Sequence, residues 1–276
     1  MLLKELLSEY KEARQAVLAA NFYNFETLKG IAQAAAFLET PVILQLSESS
    51  INYLGLDMGV SMARSIIREY GIEAWLHFDH GSSLELIRRC LDKGFDSVMI
   101  DASDKSFEEN VRISSEVVRI ADKYNASVEA ELGYVAKLGQ EQEPDAYTKP
   151  EDAKRFAELT GINSLAVAIG TAHGFYKKKP EIRLDILNTI SKATPVALVL
   201  HGGSGLSDEI LQGAVINGIN KINLATETKN TFMKKLKSLL TRTDEIDLRK
   251  VFPPAINDVT DLIKKKMNTI KPIGVE

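Results

Sequence analysis

The chain has only four histidines, and three of them are placed where they could hold one metal ion. His80, His173 and His201 each lie at or just past the end of a short apolar run typical of a β-strand. Imidazole is the commonest metal ligand in proteins, and three imidazoles that leave one coordination position open are typical of catalytic zinc. The sequence therefore predicts that these three histidines bind zinc. The fourth, His77, lies inside its strand, where alternation turns it away from His80 and favours a packing or supporting role.

Carboxylates end several of the same runs. Asp79 directly precedes His80, where a carboxylate could move protons beside a metal or orient a ligand. Asp101 ends a second run. Glu129 and Glu131 alternate with apolar residues in a third, so they share one face of their strand. Because a charge inside a buried strand is costly unless it is paired or functional, this face is a further candidate for chemistry.

Two glycine-rich turns carry histidines, Gly170–Gly174 around His173 and Gly202–Gly205 directly after His201. Bare backbone N–H groups of such turns, together with the hydroxyls of Ser204 and Thr226, could cradle a phosphate dianion. A glycine-rich turn alone is a weak signal. Next to two candidate metal ligands, it favours a phosphorylated substrate.

Eight apolar, β-rich runs alternate with amphipathic segments that fit helices. The predicted strands are Ala16–Asn21, Pro41–Ser47, Ala74–His80, Ser97–Ser103, Ser127–Gly133, Ser164–Gly170, Pro195–Gly202 and Lys221–Thr226. The predicted helices are Phe25–Leu38, Met58–Tyr70, Ser83–Lys93, Phe107–Tyr124, Lys149–Leu159, Leu184–Lys192, Ser207–Asn217, Glu227–Leu240 and Ala255–Met267, with Met1–Arg14 as an extra N-terminal helix.

This alternation predicts an α/β fold, a single (β/α)₈ TIM barrel over residues 1–276 with the extra N-terminal helix and C-terminal helices. An open, doubly wound sheet is the alternative. In a barrel the C-terminal strand ends meet at one mouth, which would bring the histidines, the strand-end carboxylates and the glycine-rich turns together. Lys221 is expected to start the eighth strand, at the opposite pole.

The composition excludes several partners. A net charge of −4 gives no overall attraction to nucleic acid or to a membrane surface. The N-terminal segment mixes leucine with charged residues, unlike a secretory signal, and no apolar run approaches the roughly 20 residues of a membrane span. With one cysteine, Cys90, the chain forms no internal disulfide, which suits a cytoplasmic protein.

At these same motifs the sequence resembles the class II, metal-dependent ketose-bisphosphate aldolases, over nearly the whole chain. The motifs that carry the resemblance are Ala20-Asn21, Asn24–Leu28, Pro41–Glu48, Asp79–Ser83, Phe107–Asn110, Val128–Gly133, Ser164–Gly174 and Leu200–Gly205. The resemblance implies reversible cleavage of a ketose 1,6-bisphosphate into dihydroxyacetone phosphate and an aldehyde phosphate. Zinc would act as a Lewis acid for the negative charge left on the ketone half.

The resemblance also implies roles for individual residues. Zinc would be bound by His80, His173 and His201, with the Glu131 carboxylate close to it. Asp79 would exchange a proton with the C4 hydroxyl. The dihydroxyacetone phosphate half would contact Gly174, Gly202, Gly203, Ser204, Asn223 and Thr226, with Asn21 and Ser47 nearby. A monovalent cation, Na⁺ or K⁺, near the phosphate loops and a homodimer or homotetramer are further expectations of this kind.

Two departures from the family pattern concern catalysis and specificity. The Gly-Gly that usually follows Glu-Leu-Gly is missing, so the loop base at C3 is assigned to Glu141, with Glu143 or neither as the alternatives. Ala225 stands where fructose-bisphosphate members usually carry aspartate, and Lys229 occupies the distal-phosphate position usually held by arginine. Ala225 resembles the tagatose-bisphosphate members, so the pattern favours tagatose or another ketose phosphate over fructose.

Three alternative functions would require other features of the sequence. A Schiff-base aldolase needs a lysine at a C-terminal strand end, and the predicted strands carry none there. A zinc hydrolase on the same barrel typically needs a His-x-His pair in the first strand, which contains no histidine. A metal-free binding or regulatory barrel derived from the fold stays open because the segment from Tyr134 to Glu143 is altered.

Overall fold

Eight parallel strands pair in sequence order, and the eighth pairs with the first to close a barrel. The computed structural model describes residues 1–133, 147–176 and 180–271. The strands are β1 (Val17–Asn21), β2 (Val42–Ser47), β3 (Ala74–Gly81), β4 (Ser97–Ile100), β5 (Ser127–Leu132), β6 (Ser164–Val167), β7 (Ala197–Leu200) and β8 (Ile219–Leu224). This architecture confirms the predicted (β/α)₈ barrel and rules out the open sheet.

The helices surround the barrel and close its two chain ends. They are α1 (Leu3–Ala13), α2 (Phe25–Leu38), α3 (Glu48–Leu54), α4 (Leu56–Tyr70), α5 (Leu84–Asp92), α6 (Phe107–Ala121), α7 (Pro150–Thr160), α8 (Leu184–Ala193), α9 (Asp208–Ile216), α10 (Thr226–Leu240), α11 (Leu248–Val251) and α12 (Pro253–Thr269). A 3₁₀ turn, Asp122–Tyr124, follows α6. Among the described residues, no helix combines the length and the apolar character needed to cross a membrane.

Short polar side chains fix where several helices begin. Ser83, Ser106 and Ser207 each accept a hydrogen bond from the backbone N–H three residues on, which starts α5, α6 and α9. Asn24 caps α2 in the same way through the Thr27 N–H. These caps set the helix starts just after the strand-end loops, so the loops stay short and the mouth of the barrel is well defined.

Strand alternation divides the barrel wall into two faces. Outward-facing residues such as Leu44, Phe78 and Leu198 are apolar and fully buried against the helices, where they belong to the main core. The inward-facing positions are different, because they change character along the barrel axis. Near the N-terminal pole they are apolar, and Val17, Ala19, Ile43, Trp75 and Ala197 pack against Leu3, Leu6 and Leu7 of α1. Helix α1 therefore seals the pole opposite the mouth.

The predicted elements were wrong in two respects: two short helices were missed, and one strand was predicted to start too late. Helices α3 and α11 were not expected, since each is short and has little of the repeated pattern that identifies a longer helix. Strand β8 begins at Ile219 rather than at Lys221, so Lys221 lies inside the strand and not at the pole. The lysine can be buried there because it pairs with Glu129 across the barrel, a contact that the local sequence does not reveal.

Candidate active site

The mouth of the barrel brings together the three histidines of the predicted metal site. His80 lies at the end of β3, His173 in the loop after β6 and His201 directly after β7. Their ring centroids are 4.8 Å, 5.0 Å and 5.8 Å apart, and one ring nitrogen from each lies within 4.8 Å of the others. Three imidazoles on three separate elements therefore converge on one point.

The position of His80 depends on a local distortion of β3. Strand alternation would turn neighbouring side chains to opposite faces, so Asp79 and His80 could not both reach the mouth from a regular strand. The register shifts between Phe78 and Gly81, and His80 has a left-handed φ of 53°. Such a backbone costs about 1–3 kcal/mol for a residue other than glycine. Here it turns the His80 ring towards the other two histidines.

Hydrogen bonds leave one nitrogen of His80 free to face the cluster. Its Nδ1 lies 3.1 Å from Asp101 Oδ2, whereas its Nε2 is buried without a partner. Burial lowers the pKa of His80, but the Asp79 carboxylate and the hydrogen bond with Asp101 outweigh it and raise the pKa to about 9. The cluster therefore has a strongly negative environment around this ring.

His201 is held from behind by a different carboxylate. Its Nε2 lies 2.9 Å from Glu129 Oε1, and its Nδ1 faces Glu131 Oε2 at 3.4 Å without forming a hydrogen bond. Glu131 Oε2 is itself buried without a partner, and burial raises the pKa of the Glu131 carboxyl. His173 completes the cluster, and burial together with His201 and His80 lowers its pKa to about 3.

These unpaired atoms test whether a metal fits the site. Buried polar atoms without partners are rare, yet His80 Nε2, His201 Nδ1 and Glu131 Oε2 all lie at this one point. A cation would satisfy all three, and three imidazole nitrogens with an open position suit zinc. A second set of donors, from His80, Asp101 and Glu131, lies beside the first and shares His80. Among the described residues, the donor groups thus fit a divalent metal.

Asp79 is placed beside the cluster as an ionised carboxylate. Its Oδ2 accepts a hydrogen bond from Asn21 Nδ2 at 2.9 Å, and its Oδ1 accepts one from Asn223 Nδ2 at 3.4 Å. Burial alone would raise the pKa of Asp79, but His80 and then His201 outweigh it and lower the pKa to about 2. A charged carboxylate held by two amides can accept a proton from a hydroxyl group in the pocket.

The glycine-rich loops pack so closely that side chains are excluded. Gly202 has a φ of 72°, and a Cβ there would overlap the carbonyl oxygen of Ala172 in the β6 loop. A Cβ on Gly203 would lie 2.8 Å from the carbonyl oxygen of Asn223 in β8. The loop after β7 is therefore sandwiched between its two neighbours, with Gly174 beside them in a left-handed conformation at φ 96°.

Ser204 and Thr226 meet at the start of α10. The Ser204 hydroxyl accepts hydrogen bonds from the backbone N–H groups of Ala225 at 3.3 Å and Glu227 at 3.2 Å. Thr226 is the first residue of the helix. Ser204 therefore caps α10 from another loop, and its one proton remains for an acceptor in the pocket. The helix N-terminus adds a partial positive charge there.

Two further predicted residues lie at the edge of the mouth. Ser47 ends β2, and its hydroxyl caps α3 and lies 3.0 Å from that of Ser49. Lys229 is exposed on α10, and its Nζ lies 5.4 Å from the centroid of the Tyr23 ring. The two candidates for the loop base, Glu141 and Glu143, lie outside the described residues.

Sequence reasoning missed several residues that shape the site. Gln45 is fully buried in the row of Asn21 and His77, and neither of its amide atoms has a partner. The Tyr176 hydroxyl joins the loops after β6 and β7. Lys221 pairs with Glu129 beneath His201. The alternation of Glu129 with Glu131 was a usable signal, whereas the partners of Gln45, Tyr176 and Lys221 are tertiary.

The fold and the site together define a class: a (β/α)₈ barrel whose mouth holds a metal-donor cluster, an ionised carboxylate and glycine-rich loops at the start of a helix. The profile of the family described as fructose-bisphosphate aldolase class-II matches residues 1–274. A fructose-bisphosphate aldolase of Geobacillus stearothermophilus is 38% identical over 99% of this chain and 97% of its own length. The D-tagatose-1,6-bisphosphate aldolase subunit GatY of Klebsiella oxytoca is 38% identical over 95% of this chain and 94% of its own.

A solved structure agrees with these relatives. The crystal structure of the YdjI aldolase from Escherichia coli K12 has a TM-score of 0.88 and 31% identity, and the match covers 99% of both chains. The chain therefore belongs to the class II fructose-bisphosphate aldolase family, as its motifs predicted, and is an aldolase, a carbon–carbon lyase. The family is generally metal-dependent, in agreement with the donor groups at the mouth.

Proposed function

We propose that the protein catalyses the zinc-dependent, reversible aldol cleavage of a ketose 1,6-bisphosphate to dihydroxyacetone phosphate and an aldehyde phosphate. The main support for this proposal is that a cluster of candidate metal ligands and an ionised carboxylate lie side by side at the mouth of the barrel. Three imidazoles, one buried and two half-buried, converge there with unpaired nitrogens on His80 and His201, and the ionised carboxylate of Asp79 lies next to them. An aldol cleavage needs both an electrophile for the ketone half and a base for the hydroxyl.

In the proposed reaction a metal held by His80, His173 and His201 would supply Lewis-acid stabilisation of negative charge on the ketone half. Asp79 accepts the proton of the C4 hydroxyl as the C3–C4 bond breaks and returns it during condensation. The electron pair of that bond passes to the ketone half. Asn21 and Asn223 hold both oxygens of Asp79 in place during the transfer. Protonation at C3 is assigned to Glu141, with Glu143 as the alternative.

The phosphate of the dihydroxyacetone half is assigned to the glycine-rich loops. Gly174, Gly202 and Gly203 bring backbone close to the mouth without side chains in the way. The Ser204 hydroxyl has accepted two N–H groups and can donate its proton, and α10 begins beside it at Thr226. A dianion suits this arrangement. A monovalent cation, Na⁺ or K⁺, beside the same loops is part of the proposal.

The sugar is proposed to be of the tagatose type, with the fructose type as the alternative. Ala225 stands at a position where fructose-type members usually carry aspartate, so this chain has no carboxylate at that position. Relatives named for each sugar are equally similar to the chain, at 38% identity, so overall similarity does not separate them. Lys229 is exposed above Tyr23 and is proposed to contact the phosphate of the aldehyde half.

The first test is a cleavage assay on purified protein with tagatose and fructose 1,6-bisphosphates and related ketose 1-phosphates. Dihydroxyacetone phosphate and the aldehyde product are measured separately. We expect release of dihydroxyacetone phosphate from at least one bisphosphate, loss of that activity with a chelator and recovery with Zn²⁺. Activity that survives complete metal removal, or a lysine adduct trapped by borohydride, would contradict the proposed mechanism.

His201→Ala should abolish this activity through loss of the metal. The substitution removes one of three imidazoles and leaves Glu129 facing a cavity. Bound zinc is measured by metal analysis after dialysis against trace Zn²⁺. A variant that keeps one zinc per chain and still loses activity would show that His201 is not a ligand.

The assembly and the location of the chain also remain proposals. The homodimer or homotetramer is an expectation from the family resemblance alone, and the cytoplasmic location is an expectation from the composition. The single domain over residues 1–276 is an expectation from the alternation of strands and helices. Mass measurement in solution tests the first of these directly. A monomer at the concentration used for the cleavage assay would overturn it.

A further inference from the structure

Two opposite charges lie inside the barrel directly beneath the histidine cluster. Lys221 projects from β8 and Glu129 from β5, and their side chains are each only 1% exposed. Lys221 Nζ lies 2.7 Å from Glu129 Oε2. Burying two charges is expensive, and a pair of this kind adds stability only where further hydrogen bonds satisfy it. The presence of this pair in the centre of the barrel is therefore not explained by packing alone.

The second oxygen of Glu129 supplies that reason. Glu129 Oε1 lies 2.9 Å from Nε2 of His201, so the carboxylate connects the lysine to the candidate ligand. An ionised carboxylate can only accept, which makes Nε2 of His201 the protonated donor and leaves Nδ1 with its lone pair facing the cluster. Burial disfavours the Glu129 anion, but Lys221 and then the hydrogen bond from His201 hold the pKa of its carboxyl below the ordinary value.

The ammonium group is fixed from its other side as well. His77 Nε2 lies 3.5 Å from Lys221 Nζ, and His77 Nδ1 lies 2.8 Å from the hydroxyl of Ser97. Because the lysine can only donate, His77 Nε2 is the acceptor and His77 Nδ1 carries the hydrogen that points to Ser97. Burial and the charge of Lys221 lower the pKa of His77 to about 3, so the ring stays neutral.

Apolar side chains lie on the N-terminal side of this pair. The apolar layer that contains Ile43 and Trp75 lies under it and is covered by α1. Lys221 is therefore the cation that pairs with the Glu129 anion where both side chains are almost fully buried. Without it, the carboxylate would be left as an uncompensated buried charge or would take up a proton, and either change weakens its hold on His201.

We propose that Lys221 is a positioning residue for the metal site, which acts through Glu129 to hold the His201 ring with Nδ1 directed at the histidine cluster. The Lys221 Nζ contacts Glu129 and His77 and not the three candidate ligands themselves. The inference rests on the proposed role of the three histidines as zinc ligands and deepens it by extending the machinery to a lysine at the centre of the barrel.

The test compares the zinc affinity of metal-free wild-type protein with that of Lys221→Met, by competition with a chromogenic chelator. Methionine keeps the length and apolar volume of the lysine stem and removes the charge. We expect about 10- to 100-fold weaker zinc binding, the usual effect of removing an outer-shell partner of a metal ligand. Lys266→Met is the matched control, since Lys266 is also a buried lysine, 3.1 Å from Glu227, and the structure gives it no contact with a histidine.

A second variant keeps the test decisive if Lys221→Met does not fold. Lys221→Met/Glu129→Gln removes both charges, so no buried charge is left alone, and the glutamine oxygen can still accept from His201. We expect this variant to fold and to bind zinc more weakly than wild type. With Co²⁺ in place of Zn²⁺, its visible absorption spectrum should also shift, because the ligand geometry changes.

The outcomes separate this inference from the proposed function. Wild-type protein that binds no zinc would overturn the metal site itself. Stoichiometric binding by wild type with unchanged affinity in the folded Lys221→Met or double variant would overturn only the role of Lys221. An equal loss of affinity in Lys266→Met would mean that any buried lysine pair has this effect, which also overturns it.

Discussion

At the scale of single residues, two carboxylates next to His80 have different surroundings and different expected roles. Asp79 is bonded to two amides, and His80 and His201 hold its pKa down to about 2 against the effect of burial. Asp101 instead bonds directly to Nδ1 of His80, and that contact keeps the pKa of Asp101 below its ordinary value although burial opposes it. Asp79 is therefore placed for proton transfer, and Asp101 for holding a metal ligand.

Replacing Asp79 with Asn should abolish turnover and leave metal binding intact. Asparagine keeps the shape but cannot take a proton, and a positioned general base contributes about 10²- to 10⁴-fold to rate. The measurements are kcat for dihydroxyacetone phosphate release and zinc content. Asp101→Asn is the contrasting variant, and we expect it to lose zinc affinity because the partner of His80 Nδ1 loses its negative charge. Equal zinc loss in both variants would mean that Asp79 acts through the metal.

The sequence predicted which histidines and carboxylates gather at the mouth, because residue type and strand ends are local features. It did not predict how His80 reaches the cluster, since the left-handed φ of 53° and the shifted register belong to the pairing of β3 with β4. The sequence also placed Lys221 wrongly at the start of β8, because its position inside the strand depends on a contact with another strand. A lysine usually marks a strand end, and only the partner across the barrel explains its burial.

At the scale of elements, one hydroxyl ties together the loops after β6 and β7. Tyr176 donates to the carbonyl oxygen of Gly202 at 2.8 Å and accepts from the N–H of Ala172 at 3.0 Å. Ala172 precedes His173, and Gly202 follows His201. The tyrosine therefore fixes the distance between two histidine-bearing loops and keeps Gly202 against its neighbour.

Replacing Tyr176 with Phe should loosen this arrangement and keep the ring packing. The Gly202 carbonyl and the Ala172 N–H lose their partner, which costs about 1–3 kcal/mol where such groups are buried. We expect a higher KM for the ketose phosphate and a smaller change in kcat, both measured in the zinc-loaded enzyme. In Tyr124→Phe a hydroxyl bond to Asp92 is lost at the far pole, and KM should not change. Equal KM in the two variants would contradict the role given to Tyr176.

Apolar runs and amphipathic gaps predicted the eight strands and the longer helices between them, because both signals repeat over many residues. Strand ends were less accurate: β4, β6 and β7 end two or three residues earlier than expected. The residues beyond them, such as Ala168 and Ala102, are still buried and apolar in loops that line the mouth. Burial continues where strand pairing stops, so hydropathy cannot locate that boundary.

At the scale of the whole molecule, the barrel interior divides into an apolar half and a polar half. Helix α1 and the layer of Trp75 close the lower half, and the upper half contains the charged pair of Lys221 and Glu129 beneath the mouth. His77 lies at this boundary, fully buried and neutral. The stability of the fold should therefore respond to the protonation of a buried residue that lies beneath the histidine cluster and takes no part in the proposed proton transfer.

His77 should make the metal-free protein less stable as the pH falls below about 6.5. Burial and Lys221 lower its pKa to about 3 in the folded chain, and the more distant charges of Glu129 and Asp79 oppose them. Between these values the unfolded chain binds a proton at this residue and the folded chain does not. Unfolding then takes up a proton, so each pH unit should remove about 1.4 kcal/mol of stability. The stabilising contribution is thus present above about pH 6.5 and is lost as the pH falls towards 3.

His77→Gln isolates this contribution, because glutamine keeps a hydrogen-bonding side chain and does not titrate. The free energy of unfolding is measured in urea with a chelator present, from pH 7.5 down to the onset of acid denaturation. Groups common to both proteins cancel in the difference between them. We expect the difference in free energy of unfolding between the two proteins to be constant above neutral pH. Below neutral pH wild type should lose stability relative to the variant, because only wild type has a His77 whose pKa is lowered by folding. Parallel curves would show that His77 takes up its proton in the folded barrel, which would require water or a rearranged Lys221 beside it.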